Sequence, residues 1–212
     1  MYHDLKPEKP RPWTYNPSSW NQRIRIAIVA LVATVIALYL GLYQWGVIDT
    51  VWEPIFDDGT IKVLTSDVSH TFTSWIRIPD AILGAVAYLS DVVFALGGSE
   101  RRWQDRPWLV VVFGIDVIPL GLVSFTLIIL QGIAVKYWCF LCLVTAIISL
   151  ILIILAYDEV LSSLIYLYEI KKRGNWKDLW WAFWGYPSIA ALKAGEATLQ
   201  KRMKRKNVGK NQ

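Results

Sequence analysis

The 212-residue chain holds two cysteines, Cys139 and Cys142, in the run Tyr-Trp-Cys-Phe-Leu-Cys. That spacing serves redox dithiols, supplies half of a zinc site, and also arises by chance. Residues three apart on a helix share nearly one face. If the first sulfur sits at a helix start, the unpaired N–H groups there favour its thiolate, the nucleophile of thiol–disulfide exchange. A bland reading stands beside this one: in an apolar helix two cysteines serve as small hydrophobes. Zinc needs two further ligands, and the only histidines are His3 and His70. His3 falls on the wrong side in the topology derived below, so no metal site is expected.

The scaffold that must carry this pair is written in the composition. The chain is 55% hydrophobic and 18% charged, with 12 Trp, 10 Tyr and a mean hydropathy of +0.37. Soluble domains average about 45–50% apolar and about 25% charged residues. A water-soluble enzyme and a disordered chain are both excluded, and aromatics with a polar tip suit membrane interfaces. The net charge of +5 is accounted for by membrane orientation, so no nucleic-acid partner is expected.

About 20 helical residues cross a bilayer core, and four uncharged or nearly uncharged runs meet that need: about 26–48, 81–98, 108–135 and 137–157. Pro79 stands where a first helical turn tolerates proline. Residues 1–23 form a polar, Pro-rich arm with no cleavable signal peptide expected. Residues 49–78 form an extramembrane loop, with Asp49–Phe56 expected as a short interfacial helix and Asp57–Thr60 as a turn. The Cys-x-x-Cys falls in the first two turns of the fourth span. Residues 158–212 form a basic tail with two amphipathic helices. One is rich in Trp over 176–186; the other runs from Ser188 to about Lys206 with Ile189, Leu192, Leu199 and Met203 on one side.

Nineteen of the 22 Lys and Arg residues lie in the first 25 residues, in 99–107 and after 157; Lys62, Arg77 and Lys136 make up the rest. The positive-inside rule then makes both termini cytoplasmic with four spans. The 49–78 loop and the cysteine pair share the outer, oxidising face, where disulfides persist. The expected fold is all-α, an integral membrane four-helix bundle with cytoplasmic amphipathic C-terminal helices, multi-pass in the inner (cytoplasmic) membrane.

With "YWCFLC" opening the fourth span and "RIPDAILGAVAYL" (Arg77–Leu89) opening the second, the chain resembles the vitamin K epoxide reductase family over about 24–157. The family's second helix begins with Ile-Pro, then small residues, Leu-Gly and an aromatic; Ile78, Pro79, Leu83, Gly84 and Tyr88 match. The resemblance implies a thiol–disulfide oxidoreductase coupled to quinone reduction. Cys139 would exchange with an external thiol or thioredoxin-like partner, and Cys142 would face the quinone. Trp138, Phe140, Leu83 and Tyr88 would line the quinone pocket.

The chain departs from the family in its outer loop. Two further cysteines are usual there; one position is Thr60, before Val63 and Ser66, and the other falls near Trp52. The thioredoxin-like domain of many bacterial members is not present either. Three readings follow: an external thiol attacks the Cys139–Cys142 disulfide directly; the pair serves another reductant or a sensing role; or the protein is a degenerate, non-catalytic accessory or scaffold subunit of a membrane complex. Partners are the bilayer, a membrane quinone, and a thiol protein or other membrane subunits docking on the tail.

Other polar residues remain open at this level. Asp91 and Asp116 come out at similar depth, about 10–12 Å from the cytoplasmic end at 1.5 Å per residue. They could share a proton or simply hydrogen-bond neighbouring helices. Asp80 can cap the second span. Arg77 anchors the loop or attracts an anionic group. His70 is a base near the thiols or a solvated loop residue.

Overall fold

The computed structural model describes residues 15–67, 69, 78–186 and 188–208. His3, His70 and Arg77, and most of the N-terminal arm, lie outside these residues. The described residues are all-helical, with no strand. In chain order the helices are α1 (Trp20–Gln44), α2 (Gly59–Leu64), α3 (Asp80–Leu96), α4 (Arg102–Asp105), α5 (Pro107–Leu130), a π-helical turn (Gln131–Val135), α6 (Phe140–Arg173), α7 (Trp176–Phe183) and α8 (Ile189–Val208).

Among the described residues three helices are long and apolar enough to cross a membrane: Trp20–Gln44, Pro107–Val135 and Phe140–Arg173. Helix α3 has 17 residues, which at 1.5 Å each span about 25 Å, short of the roughly 30 Å hydrocarbon core. Helix α1 buries mostly small residues and exposes large ones, as helices packed in lipid do. On α1, Ala27, Ala30, Ala33, Ala37 and Leu40 are buried while Ile28, Leu31 and Val35 are exposed. A side chain at Gly41 on the same face would run into Ile82 of α3.

Two expected boundaries move. Asp49–Phe56 forms no helix, and the first helix of the loop is Gly59–Leu64 instead. Pro54 has no N–H to give, and the Glu53 carboxylate accepts the N–H groups of Ile55 (3.1 Å) and Phe56 (3.2 Å). A side chain that takes these donors offers the backbone an alternative to a helix. The second concerns the residues after 157, where the sequence marks no helix before 176. Helix α6 continues unbroken through Asp158 and Glu159 for 34 residues, as far as Arg173. No Gly or Pro interrupts it before Gly174, and its acids Asp158, Glu159 and Glu169 are paired.

The chain divides into two compact units. One comprises residues 1–23, 96–114 and 156–212, and buried charge organises it. Arg23 donates to the carbonyls of Leu96, Gly97, Gly98 and Ser99 at 2.7–3.3 Å, satisfying the acceptors left at the end of α3. Glu159, fully buried, accepts two bonds from Arg102 (2.5 and 2.6 Å) and one from the Ser18 hydroxyl (2.5 Å). Asp158 takes the Tyr15 hydroxyl (2.8 Å) and Arg202, and Glu169 takes Arg173 (3.1 Å) and Lys201.

Helix α8 is thus tied to α6 through a face different from the one its apolar residues suggested. Ala191, Ala194, Thr198 and Arg202 are buried, whereas Ile189 and Met203 are exposed. On α7, Trp176, Trp180 and Trp181 are exposed, as are Trp184 and Tyr186 just beyond it. The helix begins at Asn175 with a reciprocal capping box to Asp178.

The second unit, residues 24–95 and 115–155, holds the cysteines and is described below. For the first, the Arg102–Glu159 pair makes a direct test. Arg102→Ala leaves a buried carboxylate without its guanidinium and is expected to lower stability by about 3–5 kcal/mol. Arg102→Met combined with Glu159→Leu is expected to restore most of that loss, read as the melting midpoint in detergent micelles.

Candidate active site

Cys139 and Cys142 are joined in a disulfide with their Cα atoms 5.2 Å apart. The chain reaches them through the π-helical turn and Lys136, which has left-handed backbone (φ 60°). Cys139 stands just before α6 and acts as its N-cap. Its carbonyl accepts the N–H of Leu143 (3.0 Å) and its Sγ accepts the N–H of Cys142 (3.1 Å). The sulfur thus occupies the place where a capping oxygen normally sits. A negative charge developing on Cys139 would meet an N–H already aimed at it and the positive end of the helix dipole. The N–H of Cys139 itself is directed at Oε1 of the buried Gln131 (3.4 Å).

The two sulfurs see different surroundings. Cys139 is fully buried in a cluster with Leu40, Val63, Leu64 and Leu141, with Tyr39, Tyr43, Val51 and Val135 packed against it. Val51, Val63 and Leu64 belong to the loop, so the loop covers this sulfur. Cys142 instead lines a cavity of about 450 Å³. Most of the cavity wall is apolar, including Leu83, Leu120, Val123, Leu127 and Val135, and its polar groups are few: Tyr88, Asp116, Ser124, Gln131 and Thr145 among them. The Tyr88 hydroxyl is 2.7 Å from the Ser149 hydroxyl and reaches the Thr145 carbonyl at 3.2 Å.

Four contacts hold the loop against the chain entering α6. The carboxylate of Glu53 accepts the backbone N–H of Phe140 (3.0 Å) and the hydroxyl of Thr60. Trp52 packs edge-on against Phe140, with ring centroids 5.8 Å apart, and donates its N–H to the Tyr39 hydroxyl (3.0 Å). The Lys62 ammonium lies 4.2 Å from the Tyr137 ring centroid. Gly59 lets α2 approach the Trp138 carbonyl so closely that a Cβ would collide with it. Burial works against ionisation of Glu53, but the bonds from Thr60, Phe140, Ile55 and Phe56 outweigh it and hold its pKa below the ordinary value of 4.5.

Of the residues singled out from sequence, Cys142, Leu83 and Tyr88 meet at the cavity. Trp138 and Phe140 lie outside its lining, with Phe140 under the loop. Asp80 receives the Gln44 amide (2.5 Å) and the Ser69 hydroxyl (3.1 Å), which joins the end of α1 to the start of α3. Sequence reasoning missed Glu53 and Gln131. Glu53 is 87 residues from its partner at Phe140, and no spacing rule reaches that far. The one available signal was Thr60, marked only as a position lacking an expected cysteine.

The family model described as the vitamin K epoxide reductase family matches residues 24–157. No curated protein and no solved structure matches the chain.

Two predictions follow from the loop contacts. A carboxylate whose pKa is depressed on folding stabilises at pH above its unfolded value, and that contribution disappears as pH falls through the folded value. Hydrogen exchange of residues 49–66, corrected for intrinsic rate, is expected to accelerate in wild type below the ordinary glutamate value. Glu53→Gln is expected to exchange about tenfold faster at neutral pH, the loss of about 1–2 kcal/mol of charge-assisted bonding, and to lose the acid response. Gly59→Ala forces α2 and Trp138 apart, at about 1–3 kcal/mol. In the reduced protein it is expected to expose Cys139 to faster alkylation while leaving Cys142 at its wild-type rate.

Proposed function

The chain belongs to the vitamin K epoxide reductase family, and on that premise we propose a membrane thiol–disulfide oxidoreductase whose Cys139–Cys142 pair passes electrons from an external thiol protein to a membrane quinone. One observation carries the reading: a single disulfide has one sulfur on an apolar cavity and the other under a loop. Such a pair can be approached from two sides by two different reactants.

The cavity fits a quinone. Its volume lies in the range of about 300–1,000 Å³ usual for small-molecule sites. Its wall offers apolar surface to a flat ring and only a few polar groups, Tyr88, Gln131 and Thr145 among them, to orient carbonyl oxygens. A bound quinone supplies an acceptor of two electrons and two protons. Leu83, Val123 and Leu127 would hold it and exclude water, with Cys142 as the adjoining sulfur. On the other side, the loop must lift for a thiol to reach Cys139. The incoming thiolate attacks Cys139, and Cys142 leaves as the thiolate facing the cavity. The Cys142 N–H, already directed at Cys139, keeps that sulfur at the helix start.

The supporting topology is four spans, with α3 as the short second one and the 49–78 loop on the outer face of the cytoplasmic membrane. The segregation of 19 of 22 basic residues favours this arrangement. In it α7 and α8 lie on the inner side, where exposed tryptophans and clustered Lys and Arg suit an anionic leaflet.

Alkylation trapping tests the function. Membranes carrying the reduced protein are treated with a soluble quinone analogue and then with a mass-tagged maleimide. Quinone is expected to remove both labelling sites together in wild type and to leave the single remaining site labelled in Cys142→Ala or Cys139→Ala. Wild-type cysteines that label equally with and without quinone would exclude quinone coupling and favour the accessory-subunit reading.

A further inference from the structure

We propose that Gln131 fixes the quinone at the disulfide end of the cavity: its side-chain amide donates an N–H to one quinone carbonyl oxygen while its own oxygen holds the backbone of Cys139. The proposal rests on the quinone reading above and assigns the donor that orients the ring.

Gln131 is buried, only 5% exposed, and lines the cavity together with Cys142. Its Oε1 faces the N–H of Cys139 at 3.4 Å. A backbone N–H can only donate, so the atom facing it is the amide oxygen, and the amide nitrogen forms the other end of the group. Among the described residues that nitrogen has no hydrogen-bond partner. Buried polar groups as a rule find partners, and this one sits in a cavity wall where an acceptor could reach it.

A quinone offers two carbonyl oxygens and no hydrogen of its own, so it needs donors. The cavity hydroxyls already have acceptors inside the protein. Tyr88 reaches the Thr145 carbonyl (3.2 Å) and the Ser149 hydroxyl (2.7 Å), and Ser124 lies 3.2 Å from the same Ser149 hydroxyl. Thr145 donates to the Cys142 carbonyl (3.0 Å), Ser66 to the Val63 carbonyl (2.7 Å) and Ser69 to Asp80 (3.1 Å). Each hydroxyl has a single hydrogen, so turning it to a ligand breaks a bond within the protein. The Gln131 amide brings its hydrogens to the cavity without that loss.

The backbone holds the amide in place. Gln131 opens the π-helical turn that follows α5, a widening that helices carry frequently at functional sites. The Trp138 ring packs on the next residue so closely that a Cβ on Gly132 would lie 3.0 Å from it. One amide therefore meets both reactants, with the quinone on its nitrogen and the disulfide backbone on its oxygen. Hydrogen bonds in such a chain polarise one another, so a quinone bound at the nitrogen strengthens the hold on Cys139.

The test uses the full chain in lipid nanodiscs, in the disulfide form. The probe is a soluble naphthoquinone carrying ¹³C at its carbonyl carbons, and the comparison ligand is the naphthalene with the same substituents but no carbonyls. Binding is corrected for partition into empty nanodiscs. In wild type one carbonyl band of the bound naphthoquinone is expected at lower infrared frequency than in the free ligand. Gln131→Met is expected to return that band to its free position and to raise the naphthoquinone Kd about tenfold, as loss of one hydrogen bond in a dry site does. The naphthalene Kd stays at its wild-type value, which shows that the variant is folded. A measurement on wild type alone stands beside these: with ¹⁵N in the glutamine side chains, solid-state NMR is expected to find a dipolar contact between a side-chain nitrogen and a quinone carbonyl carbon. Wild type that binds no naphthoquinone overturns the quinone reading and the assignment with it. Naphthoquinone binding without the dipolar contact, or with the same bands and affinity in Gln131→Met, overturns the assignment alone. Equal loss of both ligands in Gln131→Met marks a structural role and overturns it as well.

Discussion

The carboxylate of Glu53 is the interaction on which the arrangement around the cysteines depends. It gathers the N–H groups of Ile55, Phe56 and Phe140 and the Thr60 hydroxyl onto one side chain. These bonds shape the loop and fasten it to the first residue of α6 at once. With the loop so fixed, Val51, Val63 and Leu64 close over Cys139, and the disulfide is left with only Cys142 on the cavity. Thr60 stands where the family resemblance would have a cysteine. In this chain the same place in the loop contributes a hydroxyl to a non-covalent clasp, which protons can loosen and electrons cannot.

The sequence made the membrane character and the location of the cysteines legible, because both rest on local properties. Apolar runs of sufficient length mark α1, α5 and α6, and a Cys-x-x-Cys at the head of an apolar run marks a helix start. Where reading failed, the deciding contact was distant. The continuation of α6 beyond the fourth span was not legible, because Asp158 and Glu159 look like the start of a polar tail. Their partners, Ser18, Arg102 and Arg202, lie 44 to 141 residues away, and once paired these acids do not stop a helix. The buried face of α8 was misread for the same reason. Arg202 is drawn inward by Asp158, and the helix turns its small residues in while Ile189 and Met203 face out.

Within each unit the treatment of buried charge is consistent, and the two treatments differ. Among residues 1–23, 96–114 and 156–212, buried Glu159 and Glu169 and half-buried Asp158 each meet a cation and a second donor or cation. Such pairing fixes which surfaces meet, since a mismatched partner would strand a charge. Among the described residues of 24–95 and 115–155, the carboxyl of Asp91 has no such partner. The first pattern builds a framework in which each buried acid has a defined partner.

The complete burial of Cys139 has a consequence for how electrons are kept in order. A quinone pool and a pool of small thiols held in one compartment would discharge into each other through any disulfide open to both. On the function proposed above, the sulfur that would meet a thiol is covered by a segment held down by hydrogen bonds, ring packing and a cation over a ring. A small diffusing thiol brings nothing with which to displace those contacts, whereas a protein surface can supply substitutes for them. On that proposal the covering loop would act as insulation, and the right to draw current through the disulfide would belong to whichever partner can take its place.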